Sequence, residues 1–291
     1  MERDLWKRIV VALKALPRRR PGNAVYDSTQ VLAVLLWAAL HDRPISWACR
    51  RSSWPPQAWR RVLPDQSTMS RRMRDGSLAR DLTAVIERVQ RALPEGRLLL
   101  TDGKAYALED RTGDADALTG WASGRYARGY KLHVIVDDQH RLIQWAVHPM
   151  NHAEPTACRE LIGRMHVPCR ARLIVGDAAY DSNRLHAAVD ARGLRLIAPR
   201  RKPHTGLGWR SHHPHRLQSI ALTERRGGWM WPMLRAMRTG VERFFAGLVS
   251  SGVGAGHLPA WVRTLRRARL WIGAKLAINA ARIARNHAPL A

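Results

Sequence analysis

The sequence predicts an α/β chain in two parts, a helical N-terminal module followed by a mixed sheet flanked by helices. Three observations carry that prediction. Through residue 93 the apolar residues recur at helical spacing. From residue 97 they fall into short strand-like runs, and two of these end abruptly on an aspartate: 98–101 before Asp102-Gly103, and 173–176 before Asp177. The charge is also uneven. The 291 residues hold 49 Lys+Arg against 23 Asp+Glu, but residues 191–291 hold 19 Lys+Arg and only two acids, Glu224 and Glu242. A cationic field of this size attracts polyanions, above all nucleic acid.

Leu5, Trp6, Ile9, Val10 and Leu13 share one face of a first helix, and Asp27-Ser28 forms an N-cap signal before a second helix over 30–40. The segment 63–74 is more pointed. A capping Asp or Ser opens a helix carrying Ser67, Thr68, Ser70, Arg71, Arg72 and Arg74, donors suited to phosphates and base edges in a major groove. With the helices before it, this reads as a helix-turn-helix-like DNA-binding module. A further amphipathic helix over 79–93 is stopped by Pro94-Glu95-Gly96, so the module is expected to span 1–95 and a second domain 96–291.

In that second domain, strands over 98–101, 130–136 and 142–147 are expected, the last two joined through a polar turn at 137–141 that holds Asp137-Asp138. Glu154-Pro155 opens a helix over 156–165. A strand over 172–176, a helix over 183–191 capped by Asp181 and Ser182, and a strand over 194–198 follow. The order β-β-β-α-β-α-β is that of a ribonuclease-H-like domain. Residues 199–228 read as a basic insertion containing Arg200, Arg201 and Lys202, and His212, His213 and His215 as part of that basic loop. Pro232 opens a helix with the stripe Leu234, Met237, Val241, Phe244, Phe245 and Leu248. It carries Arg238 four residues before Glu242, so both project from one face. Gly240 costs this helix about 1 kcal/mol relative to alanine, which points to close approach by a neighbour. A final helix over 259–286 pairs the stripe Val262, Leu265, Trp271, Ala274 and Ile278 with Arg263, Arg266, Arg267, Arg269, Lys275, Arg282 and Arg285. It is expected to pack on the second domain with its basic side toward DNA.

Cys49, Cys158 and Cys169 lack disulfide or zinc spacing and read as reduced, buried thiols. The N-terminus has no apolar signal core, and the longest apolar run, 31–40, falls short of the ~20 residues a membrane span needs. A cytoplasmic, nucleoid-associated protein is expected.

Asp102, Asp177 and Glu242, far apart in sequence, are brought near one another by such a fold. Carboxylates in that arrangement can hold two Mg²⁺ ions, the device by which phosphodiesters are cleaved. The motifs Thr101-Asp102-Gly103, Arg128-Gly-Tyr-Lys131-Leu-His133, Gly176-Asp177-Ala-Ala-Tyr180-Asp181-Ser182 and Arg238-Thr-Gly-Val-Glu242-Arg243-Phe also carry a resemblance. Over residues 30–285 the chain resembles bacterial insertion-sequence transposases of the DDE type, in the group that includes the insertion-sequence-four and insertion-sequence-five families. The resemblance implies that Asp102, Asp177 and Glu242 are the catalytic and metal-binding carboxylates, with two Mg²⁺ ions or Mn²⁺ as substitute. It places Arg238 at the arginine of the family's Tyr-x-x-Arg-x-x-x-Glu-(six)-Lys signature. Arg235 stands at the tyrosine and Val249 at the lysine, so contacts to end phosphates fall to residues such as Arg243 or Arg266. Tyr180, Lys104 and Lys131 are auxiliary candidates. The implied partner is double-stranded DNA, as transposon ends and target, bound by a homodimer on paired ends. A ribonuclease-H-like nuclease or a transposase-derived, non-catalytic DNA-binding protein are the competing readings.

Overall fold

A computed structural model describes residues 2–56, 62–74, 76–108, 113–122, 124–168, 170–203, 205–250 and 253–287. Cys169 lies outside them. The chain divides into two compact units, one of residues 1–93, 114–116 and 247–291, the other of residues 94–113 and 117–246.

The first unit is helical: α1 (Glu2–Lys14), α2 (Ser28–Leu40), α3 (Ile45–Ala48), α4 (Gln66–Arg72), α5 (Ser77–Gln90) and the C-terminal α10 (Leu265–His287). Asp27 starts α2 through a capping box, in which its carboxylate accepts the Gln30 N–H and the Gln30 side chain accepts the Asp27 N–H. The sequence of α2, STQVLAVLLWAAL, is apolar on every face, and such a helix has to be central. It packs against α1, α5 and α10. Trp6, Trp37 and Trp54 fill one corner with ring centroids 4.7–5.7 Å apart, and the Trp37 and Trp54 indole N–H groups donate to the carbonyls of Ser53 and Ala48.

The structure corrects the reading of the last helix. It begins at Leu265 instead of 259, because Thr264 takes a left-handed φ of 72° and Asp114 and Asp116 accept the Thr264 and Leu265 N–H groups. Instead of joining the second domain it lies with the N-terminal helices, buried from Ala268 to Ala284 along small and apolar side chains. Lys275 is not on a basic surface. Its ammonium donates to Ala39 O (2.7 Å), Asp42 Oδ1 (2.6 Å) and Val253 O (2.5 Å), which satisfies all three of its donors.

The second unit contains β1 (Leu98–Ala107), β2 (Leu118–Ala122), β3 (Arg125–Asp137), β4 (Leu142–Pro149), β5 (Leu173–Val175) and β6 (Arg195–Ile197). The sheet order is β2-β3-β1-β5-β6, with β4 also on β3. β3 is antiparallel to β1, β2 and β4, whereas β1, β5 and β6 are mutually parallel. With α6 (Glu154–Arg164), α7 (Asn183–Asp190), α8 (Pro214–Glu224) and α9 (Met230–Val249), this is a ribonuclease-H-like fold. Leu99, Ile135, Ile162, Ile174, Val189 and Leu196 are among the residues of its core.

Two elements differ from expectation. β2 lies between the strands expected at 98–101 and 130–136, where none is expected. α8 lies inside the supposed basic insertion, where Pro214 takes a first-turn helical position and Ser219 bridges Ala198 N and O at 3.0 Å. Asp137 and Asp138 are structural, as expected of a hairpin turn: Asp137 accepts the Gly96, Gln139 and Arg141 N–H groups, and Asp138 that of Arg97. No helix among the described residues is long and apolar enough to cross a membrane.

Candidate active site

β1 runs on to Ala107, so Asp102 lies in mid-strand and not at a strand end as its sequence suggests. Cross-strand pairing puts Asp102 opposite Val134 and Gly103 opposite His133, so Asp102 shares a sheet face with Leu100 and Lys104, and the opposite face takes His133 and Lys131. Asp102 Oδ1 accepts the Gly103 N–H at 2.7 Å. Asp177 does follow a strand end. It caps a 3-10 turn, Ala178–Tyr180, by accepting the Ala179 N–H at 2.8 Å.

The third carboxylate arrives on α9. Arg238 Nη2 lies 2.9 Å from Glu242 Oε1, and Arg238 Nη1 lies 3.6 Å from Asp102 Oδ2, so one guanidinium stands between two of the three acids. Gly240 explains how α9 comes this near: a Cβ there would stand 3.0 Å from Leu100 Cδ1, on the same face of β1 as Asp102. The close neighbour that this glycine implies is therefore the core itself.

Electrostatics single out Asp102. Burial pushes its carboxyl up to about 6; Asp177 and Glu154 push in the same direction, against the Gly103 N–H and Arg238. A carboxylate in this condition attracts a cation. Glu242 is more exposed, and Arg238 is its partner among the described residues.

The remaining candidates divide sharply. Lys104 is half-buried near Asp102, its ammonium 5.4 Å from the Tyr106 ring centroid, and burial lowers its pKa. Lys131 is not available to phosphate: it is buried on the other face and donates to Glu154 at 3.0 Å. Tyr180 is also corrected. It is a core residue 1 % exposed, lying so close to Gly176 that a Cβ there would meet its ring at 2.9 Å. Ser182 precedes α7 without a side-chain cap bond. Asp181 instead receives a two-pronged contact from Arg216, at 2.6 and 2.7 Å. Burial alone would raise the Asp181 carboxyl, but Arg216 and the Arg201 N–H hold it below the ordinary range.

Arg200 is engaged by Glu224 and by the carbonyls of Thr205 and Pro203, which fixes a loop and leaves Glu224 no part in a metal site. Arg201, Lys202 and an exposed Trp209 line a groove of about 960 Å³ that Arg216 also borders. On α4, Asp65 caps the helix through the Thr68 N–H (2.6 Å) and takes the Ser67 hydroxyl. Arg71 and Arg74 are exposed, whereas the Arg72 guanidinium nitrogens are buried without a hydrogen-bond partner among the described residues, so Arg72 turns inward. Ser70 is half-buried. Arg243, Arg266 and Arg267 are exposed, and Arg263 half so.

Sequence reasoning missed Glu154 and Arg216. The sequence marks Glu154 only as a helix start, because the strand residues it meets, Lys131 and Asp102, are far from it in the chain and leave no periodic signal. Arg216 lies in the segment whose composition reads as a basic loop, and the structure puts it on α8.

The transposase DDE domain family matches residues 84–279, about two thirds of the chain, and the chain belongs to that family. No curated protein and no solved structure matches it. The family acts on DNA with the help of divalent metal ions.

Proposed function

We propose that the chain is the transposase of a bacterial insertion sequence, which binds the terminal inverted repeats of its element, hydrolyses phosphodiesters to free 3′-hydroxyls and joins these to target DNA in cut-and-paste transposition. The observation that carries this reading is the bridge of Arg238 between Asp102 and Glu242, with the charge of Asp177 acting on the same half-buried carboxyl. An all-oxygen donor set whose negative charge a single guanidinium only partly offsets fits hard divalent cations, Mg²⁺ with Mn²⁺ as substitute. Two such ions held by Asp102, Asp177 and Glu242 would supply Lewis-acid stabilisation at the attacking and leaving oxygens.

The chain's own groups account for the rest. Asp102 is anchored by its Gly103 bond in the middle of a paired strand, which keeps its free oxygen fixed in place. The planar fork of Arg238 holds Glu242 and leaves further N–H groups for a phosphate oxygen. Arg71 on α4 and Arg74 just beyond its end, with Ser67, Thr68 and Ser70 beside them, contact the inverted repeats. Arg201 and Lys202 in the groove, Arg243 on α9, Arg263 just before α10, and Arg266 and Arg267 in its first turn contact phosphates. Two copies act on paired ends in the cytoplasm, associated with the nucleoid.

The decisive experiment uses supercoiled DNA carrying the inverted repeats that flank the gene, incubated with purified protein and Mg²⁺ or Mn²⁺. Nicks at the repeat ends that leave 3′-hydroxyls are expected, followed by joining to a second DNA. Nicking without preference for the ends indicates a nuclease. Specific binding without nicking in either metal indicates a non-catalytic DNA-binding protein.

A further inference from the structure

A second cluster of ligating side chains lies on the α6 side of the sheet, away from the carboxylate face. His148 is the last residue but one of β4, His152 sits in the turn that follows, and Glu160 comes from the second turn of α6. Their ligand atoms all lie within 4.8 Å of one another. Glu160 Oε2 is 3.2 Å from His148 Nε2, and Glu160 Oε1 is 3.4 Å from His152 Nε2. Ligands held about 2.0–2.1 Å from a tetrahedral ion stand roughly 3.3 Å apart, close to the two nitrogen-to-carboxylate distances here.

We propose that His148, His152 and Glu160 form a transition-metal site of Zn²⁺ type, distinct from the Mg²⁺ site on the other face. Two imidazoles and one carboxylate suit Zn²⁺, Co²⁺ or Ni²⁺ and not Mg²⁺, which takes oxygen ligands. An ordinary ion pair explains the cluster less well on two counts. The His148 and His152 rings stack with centroids 4.1 Å apart and planes within 17°, an arrangement in which two imidazolium charges repel. The His152 Nε2 also approaches the carboxylate without making a hydrogen bond to it.

A third observation comes from β3. His133 is 1 % exposed, its ring centroid is 5.4 Å from that of His148, and both its ring nitrogens are buried without a hydrogen-bond partner among the described residues. Buried polar groups are satisfied in nearly all proteins, so this ring points to a ligand or ordered water at the cluster. It is placed to complete or support the coordination. The ion ties the turn between β4 and α6 to the body of α6, the helix whose first turn carries Glu154 against Lys131. Its role is to stiffen that connection, and it takes no part in strand cleavage.

The test uses full-length protein freed of metal by chelation, titrated with Co²⁺ in excess Mg²⁺ so that the oxygen site is occupied. One Co²⁺ per chain is expected, with the visible absorption of four- or five-coordinate cobalt, displaced by Zn²⁺ and accompanied by a rise in the thermal midpoint. His152→Ala and Glu160→Gln should each weaken binding by more than about 100-fold, beyond the cost of losing an outer partner. Asp102→Asn should bind Co²⁺ as the unaltered protein does, and so should His215→Ala, which removes a ring from the other histidine pair near Asp190. Glu160→Gln keeps the side-chain shape, so a folded variant with lost absorption supports the site even if His152→Ala fails to fold. Absence of the cobalt spectrum in the unaltered protein overturns the proposal. So does a spectrum retained in both His152→Ala and Glu160→Gln, or one lost in Asp102→Asn.

Discussion

Lys275 in the helical unit and Asp102 in the sheet unit are both charged groups withdrawn from water, and their surroundings could hardly differ more. Burial lowers the Lys275 pKa, yet every N–H of its ammonium has an oxygen within 2.7 Å, one of them the carboxylate of Asp42. Asp102 accepts one backbone N–H, has its nearest cation at 3.6 Å, and faces two other negative charges. A buried charge whose capacity is filled serves the fold. One left short of positive charge is poised for something that arrives from solution, which is the pattern that perturbed groups show at functional sites. The contrast also separates two residues that sequence patterning alone does not tell apart, since each is a charged side chain in a segment that carries other charges as well as apolar residues.

The largest test of that contrast is Asp102→Asn. Cleavage should fall by about a thousandfold, roughly 4 kcal/mol of transition-state stabilisation. Stability without divalent ions should not fall. Because the folded carboxyl titrates at about 6, above its ordinary value, the folded state binds the proton more tightly than the unfolded chain. Stability contributed by the protonated form is therefore full below about pH 4 and is lost as pH rises to about 6, an effect on the order of 2–3 kcal/mol. Denaturant unfolding across pH 4–7 should show this slope in the unaltered protein and its reduction in Asp102→Asn, and Mg²⁺ should stabilise only the former appreciably. A variant that unfolds more easily at pH 7 would make Asp102 a structural charge like Lys275.

The next effect belongs to Lys275. Lys275→Ala leaves the Ala39 and Val253 carbonyls without their donor and opens a cavity, at a cost of about 2–4 kcal/mol in denaturant unfolding. Lys275→Met keeps the volume, and should recover more than half of that loss because no ammonium then has to be desolvated. DNA cleavage measured well below the unfolding midpoint should be unchanged in both. A Lys275→Ala protein as stable as the original would show that the three short contacts hold nothing together.

How much of this was legible beforehand follows from where the signals lie. The helix starts at Asp27 and Asp65 were readable because capping is a local hydrogen bond between residues three apart. Asp177 was readable because a short apolar run stops beside it. Asp102 was found for a partly mistaken reason, since β1 continues through it. Alternation on a strand with one partly open face, as at 102–105, looks polar enough to pass for loop. The location of α10 was misjudged because its stripe specifies that it packs, but not against which partner. Lys275 reads as one more surface cation of its helix because the three carbonyl and carboxylate oxygens that hold it are remote in sequence. Arg238 and Glu242 share a face by helical spacing alone, whereas their relation to Asp102 depends on Gly240, whose neighbour no local pattern names.

Arg238 tests the middle of the range. Arg238→Lys keeps the charge but loses the fork that spans Glu242 and Asp102, so cleavage should drop by about 10- to 100-fold, the worth of one or two charge-assisted hydrogen bonds. Affinity for end-containing DNA, measured by titration at fixed salt, should change by less than about threefold. Equal losses of binding and cleavage would make Arg238 a phosphate contact only, and would dissolve the link it provides between α9 and β1.

The smallest effect is expected at Gly240, where two terms oppose each other. Alanine gains about 1 kcal/mol of helix propensity. Its Cβ, however, would lie 3.0 Å from Leu100 Cδ1, in a position that is fully packed, and overpacking of this kind costs about 1–3 kcal/mol. The net change in unfolding free energy should thus be a destabilisation of about 1 kcal/mol. Cleavage should suffer more than that figure suggests, because relief of the contact moves α9, and with it Arg238 and Glu242, away from the strand that holds Asp102. Leu100→Val removes the opposing methyl, so in the double variant Leu100→Val/Gly240→Ala the two losses should be less than additive and cleavage should partly return. If Gly240→Ala is instead more stable than the original and cleaves as fast, the approach of α9 to β1 is looser than the geometry requires, and Asp102 would owe its raised pKa to burial and Asp177 without any contribution from the spacing that this glycine sets.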